Sequence, residues 1–172
     1  MKKIVQNIAW ISVVIGVVWN TGFVYAVVQP SALKATPAVI DLKLKKREFS
    51  KEKIIIDNVD RKTRDLYAFV YAVDAEGQLA LVEESTADRT KSLAKWLEFS
   101  RSVIEFRKGK NQTYELDLLV NVSPYAEAGI YHAVIAFAEG GDRETAKHNL
   151  NKATIITINV EITDTTIERL NL

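Results

Sequence analysis

The chain has 172 residues, 48% of them apolar and 26% charged, which suits one packed domain and excludes a disordered chain. Its 23 basic and 22 acidic residues nearly cancel, so no bulk charge draws it to nucleic acid. The absence of cysteine excludes thiolate zinc sites, a catalytic cysteine and disulfides.

Met1-Lys2-Lys3 is a short cationic start, and Ile8 to Val18 is apolar apart from Ser12 and Gly16. Asn20, Thr21 and Gly22 break that run, and Val24-Tyr25-Ala26 carries small or aliphatic residues where a signal peptidase reads. Residues 1–26 therefore read as a secretory signal cleaved between Ala26 and Val27. The competing reading is an uncleaved anchor from Ile4 to Val28. It is long enough for a bilayer, which needs roughly 20 residues, but Gln6, Asn7 and Asn20 make it a poor span. Both readings place the rest of the chain outside the cytoplasmic membrane: at the cell surface, in the periplasm or in the medium.

Val27 to Pro37 holds two of the three prolines and has little periodicity, so residues 27–36 read as an extended linker. From there to residue 163 the pattern is β. Ile40, Leu42 and Leu44 alternate with Asp41, Lys43 and Lys45, a strand with one wet face. The basic run Lys43 to Arg47 reads as the solvated edge of a sheet, with an anionic ligand as the other reading. Ile54-Ile55-Ile56 is a strand ending in the turn formers Asp57-Asn58-Val59-Asp60. Leu66 to Val73 is apolar on both faces, which predicts a central strand covered on both sides, or covered by a loop on one.

Gln78 to Lys95 is irregular. Ser92 to Leu97 predicts one helical turn capped by Ser92, with Trp96 and Leu97 plugging the core; a sugar-stacking platform is the functional alternative for Trp96. Val103 to Phe106 is a short strand. Tyr114 to Phe137 is the strongest signal, and reads as two strands paired through the turn Ser123 to Gly129. Its first strand buries alternate residues from Tyr114 to Val122, so a slip of one residue would turn that face to water. Gly129 and Tyr131 open the second strand in the manner of a tyrosine corner, whose hydroxyl bonds back to upstream backbone; Ala133 stands where antibody domains carry cysteine. Gly140 to Lys152 is a polar connection with a short helix near Arg143 to Leu150, and Ile156 to Ile162 is the last strand. His132 and His148 each read as structural or solvated.

The implied fold is all-β: an immunoglobulin-like Greek-key sandwich of about seven strands over residues 37–163. Pro37 to Leu42, Asp57-Asn58, Ser92 to Leu97, Phe106 to Lys110, Pro124 and Ala128 to Ala133 stand in an order that resembles exported bacterial Ig-like domains. These are related in shape to pilus-assembly chaperones, and include the domain of unknown function in WxL-associated surface proteins of Gram-positive bacteria. Lys108 departs from the proline such domains usually carry before the glycine. Residues 164–172 then look like the first strand of a following domain.

No catalytic, cofactor-binding or metal-binding constellation stands out. The expected function is a non-enzymatic cell-envelope module, structural, adhesive or binding a polymer or protein, without cofactor or nucleic acid. Membrane association would run through the N-terminal segment or a region beyond the C-terminal residue. The alternative is a periplasmic pilus-type chaperone lending the strand Ile156 to Ile162 to a client. The irregular loops Gln78 to Lys95 and Gly140 to Lys152 are the expected binding surface.

Overall fold

The computed structural model describes residues 32–74, 77–82, 88, 90–110 and 112–163. Ala26 and Val27, the whole N-terminal apolar run and residues 164–172 lie outside the described residues. Within them, alternating apolar side chains give ten strands: β1 (Leu33–Thr36), β2 (Val39–Lys45), β3 (Phe49–Asn58), β4 (Arg64–Val73), β5 (Leu79–Leu81), β6 (Leu97–Phe99), β7 (Val103–Phe106), β8 (Thr113–Asn121), β9 (Gly129–Glu139) and β10 (Thr154–Thr163). One helix, α1 (Arg143–His148), lies between β9 and β10.

The strands form two sheets. One has the order β1-β3-β8-β6, and the other β2-β10-β9-β4-β5 with β7 also against β4. The count exceeds the expected seven because β5, β6 and β7 are only three or four residues long. Strands that short carry too few alternations to stand out from loop. The expected linker is also corrected. Its last four residues are β1, which pairs antiparallel with β3 from Leu33↔Asn58 to Thr36↔Ile55.

A larger correction concerns Tyr114 to Phe137. The two strands are present, as β8 and β9, but they do not pair with each other. β8 lies between β3 and β6 in the four-stranded sheet, while β9 lies between β10 and β4 in the other. The connection Val122 to Ala128 thus crosses from one sheet to the other. Alternation specifies which face of a strand is buried, and both strands bury the predicted faces: Leu116, Leu118 and Val120 on β8, and Ala133, Ile135 and Phe137 on β9. Those faces meet across the interior, alongside Ile54, Ile56, Ile156, Ile158 and Val160.

β4 is central, as its two apolar faces predict, and its outer face is roofed. Phe69 packs there with Leu81, Ala136, Ala138 and Ala146 of α1. The segment Gly140 to Lys152 is therefore a cover on the sheet, which corrects its reading as a purely solvated connection. Its apolar side chains are only Ala146 and Leu150, too sparse to announce a buried face. Asp142 caps α1 by accepting a hydrogen bond from the Thr145 amide at 2.7 Å. Arg143 lays its guanidinium 4.5 Å from the centre of the Phe69 ring and donates to the Ala68 carbonyl at 3.2 Å. Gly140 permits this close approach, because a Cβ there would stand 2.3 Å from the Ala146 nitrogen.

β10 is paired on both sides, antiparallel with β9 and parallel with β2 from Thr157↔Val39 to Thr163↔Lys45. β2 is the edge of that sheet, as its charges predict.

Candidate binding surface

The predicted corner residues sit where the chain enters β9. The Tyr131 hydroxyl donates to the Glu127 carbonyl at 3.0 Å and accepts from the Glu127 amide at 3.1 Å. Gly129 precedes it with φ of 155°, a conformation that side-chain-bearing residues rarely adopt. The Tyr131 ring packs on Trp96, centroids 4.8 Å apart and planes tilted by 53°. Trp96 is 2% exposed, so it plugs the core and offers no face to a sugar. The turn before it is a 3-10 turn, Leu93–Lys95, and Ser92 makes no side-chain cap. Ser92 is itself buried, and its Oγ has no hydrogen-bond partner among the described residues.

A polar chain that sequence reasoning missed crosses three strands on the outer face of the larger sheet. Asn159 of β10 donates through Nδ2 to Asp41 Oδ1 of β2 at 2.7 Å, and its Oδ1 lies 2.7 Å from His132 Nδ1 of β9. Asp41 can only accept when ionised, which orients the amide and leaves its oxygen for the histidine. His132 therefore carries its proton on Nδ1 in the neutral form. The strand pairs Asn159↔Asp41 and Asn159↔His132 bring the three together. Each lies on the wet face of its strand, but their conjunction depends on strand order, which no spacing in the chain encodes. Beside His132 is a groove of about 400 Å³, lined among others by Ala72, Asp74, Lys91, Ser92 and Ile130.

The end of the sandwich where β3 passes to β4 is fixed by ion pairs. The Arg64 side chain, 6% exposed, reaches both carboxylate oxygens of Asp60 at 2.5 and 2.6 Å and Glu139 at 3.0 Å. Arg107 pairs with Asp65 and, at 2.8 Å, with Glu105. These pairs tie the turn after β3 to β4, β7 and β9, which is a structural task. Among the described residues, no group of three or more His, Asp or Glu side chains is arranged to hold a metal ion.

No protein-family model matches the sequence, and no curated protein matches it. Solved structures do match in shape. A chain of the chaperone–tip adhesin complex of CFA/I fimbriae superposes with a TM-score of 0.51 at 10% identity, covering 77% of this chain and 56% of that one. A family 123 glycoside hydrolase from Clostridium perfringens gives 0.51 at 9% identity, over 74% of this chain and 23% of the hydrolase. The seventh PapD-like domain of human CEP192 gives 0.48 at 10% identity, over 85% of this chain and 99% of that domain. These likenesses show a fold, the two-sheet β-sandwich described above. The chain spans about half of the fimbrial chain and a quarter of the hydrolase.

The outer edge of β2 has no strand beside it among the described residues. The Thr157 amide donates to the Ala38 carbonyl at 3.0 Å, which sets the phase of the parallel ladder. Ile40, Leu42 and Leu44 consequently turn their amides to β10, while Val39, Asp41, Lys43 and Lys45 turn theirs away. The Lys45 amide is taken by Glu48 Oε2 at 2.7 Å. Those of Val39, Asp41 and Lys43 have no partner among the described residues.

Proposed function

We propose that this chain is a non-enzymatic module of the bacterial cell envelope, exported by its N-terminal segment, and that it binds a protein partner by strand addition at β2. The observation that carries this reading is the seven-residue edge of β2 with its outward amides. An extended segment laid beside it would gain main-chain hydrogen bonds for affinity and side-chain neighbours for specificity. Lys43 and Lys45 on the exposed face oppose pairing with a second copy of the same strand. The resemblance of the sequence to exported bacterial Ig-like domains supports the compartment. The chaperone alternative, in which β10 is lent to a client, fits less well: β10 would first have to shed β2.

The test uses envelope extract from the native host passed over the immobilised chain and over Lys43→Pro. Proline at this position removes an outward donor and leaves the bonds to β10 intact. The expected result is a protein retained by the wild type and lost with the variant at similar thermal stability. Amide exchange at Val39, Asp41 and Lys43 should slow when that protein is added. Equal retention by both chains, retention by neither, or unchanged exchange at these amides would overturn the reading.

A further inference from the structure

We propose that the end of the sandwich formed by the β2–β3 and β8–β9 connections, each of which passes from one sheet to the other, docks on an anionic phospholipid bilayer. Three adjacent cations lie there, Lys45, Lys46 and Arg47, all exposed, and none makes an ion pair among the described residues. The contrast with neighbouring positions on the same strands is informative. Lys43, Lys51 and Lys53 are each matched by a carboxylate, at 3.0, 2.9 and 2.7 Å. The acid of this connection, Glu48, accepts from the Lys45 amide. Arg47 has φ of 65°, a left-handed conformation that glycine or asparagine would adopt at lower cost, so the position retains a guanidinium against its backbone preference.

The same end exposes the two most accessible aromatic side chains among the described residues, Phe49 at 73% and Tyr125 at 76%. The Val122 amide donates to the Glu48 carbonyl at 3.0 Å and joins the two loops. Phe49 faces Asn121 in the ladder, and Tyr125 follows four residues later, so both belong to the extremity of the sheets. Aromatic rings beside unpaired cations match the headgroup layer of a bilayer, where rings settle at the interface and cations meet a negative surface potential. The surface is the projecting end of a sandwich, which suits a plane. This docking uses side chains at the tip, whereas the strand-addition reading uses the amides of Val39 to Lys43, so either can fail alone.

The chain has no cysteine, so a single introduced thiol reports one place. Full-length Tyr125→Cys and Val59→Cys, each carrying an environment-sensitive fluorophore, are mixed with vesicles of phosphatidylglycerol and phosphatidylcholine, or of phosphatidylcholine alone. Val59 is exposed at the opposite end and controls for attachment through the N-terminal apolar segment. The expected result is a blue shift at position 125 with the anionic vesicles only, abolished at about 0.5 M salt where screening is short-ranged. Replacing Lys45, Lys46 and Arg47 with glutamine should weaken this response on the order of a hundredfold, from about fivefold for each cation removed. An equal shift with phosphatidylcholine, an equal shift at position 59, or no shift at position 125 would overturn the proposal.

Discussion

Replacing Tyr131 with phenylalanine isolates the hydroxyl that ties the β8–β9 connection to β9. The ring stays on Trp96, so the packing of the pair is retained. What is lost is the two-way bond with Glu127, one donated at 3.0 Å and one accepted at 3.1 Å. A net intramolecular hydrogen bond contributes about 0.5 to 1.5 kcal/mol. Glu127 is exposed, so water can take up its amide and carbonyl in the variant, which puts both bonds near the lower end of that range. The expected loss is about 1 to 1.5 kcal/mol. With a urea slope of about 2 kcal/mol/M, the midpoint should fall by about 0.6 M at unchanged slope. Circular dichroism at far-ultraviolet wavelengths follows the transition without relying on Trp96, which neighbours the mutated ring. A midpoint shift under about 0.2 M would refute the idea that this hydroxyl stabilises the crossing. A changed slope would point to an altered denatured or native ensemble instead.

Gly140→Ala should destabilise by about 2 to 3 kcal/mol, because the new methyl meets the backbone of Ala146 and α1 must lift from Phe69; urea unfolding with amide exchange across Arg143–His148 measures this, and wild-type stability would contradict the packing described. The Asp142 carboxyl is held below its ordinary range, chiefly by the Thr145 amide. Since its folded pKa lies below the unfolded value of about 3.9, its stabilising contribution is present above that value and disappears as pH falls through the lowered folded pKa. Asp142→Ala should therefore unfold more readily than wild type at neutral pH, with the gap closing in strong acid. A gap that is constant with pH would show that the charge on this cap is irrelevant.

Much of the β content was legible because one face of each long strand is dry. Ile40, Leu42 and Leu44 on β2, Leu116, Leu118 and Val120 on β8, and Ile156, Ile158 and Val160 on β10 all follow the two-residue period of their sequence. The same period says nothing about partners, which is why β8 and β9 read as a pair although they face each other across the core. β1 was hidden by its length and by the prolines around it. Its sequence, Leu-Lys-Ala-Thr, becomes a strand because Asn58, Asp57, Ile56 and Ile55 offer it an unpaired edge. Ser92 has the right residue type for a cap, yet the three-residue turn after it leaves the hydroxyl unengaged. The chain of Asp41, Asn159 and His132 was beyond reach for a related reason: residues 27 and more positions apart meet only once the order β2-β10-β9 is known.

The parallel pairing of β2 with β10 has a mechanical consequence. β2 begins at one end of the sandwich and β10 finishes at the other, so tension applied to residues before β2 and after β10 acts along their shared ladder. Seven residue pairs, Val39–Lys45 against Thr157–Thr163, then bear the load together in shear. They do not open one after another, as the strands of a hairpin do when pulled apart from one end. A module stretched between two attachment points would resist extension until this ladder yielded as a unit. Shielding the ladder from sideways peeling falls to β9, which holds β10 along its opposite edge.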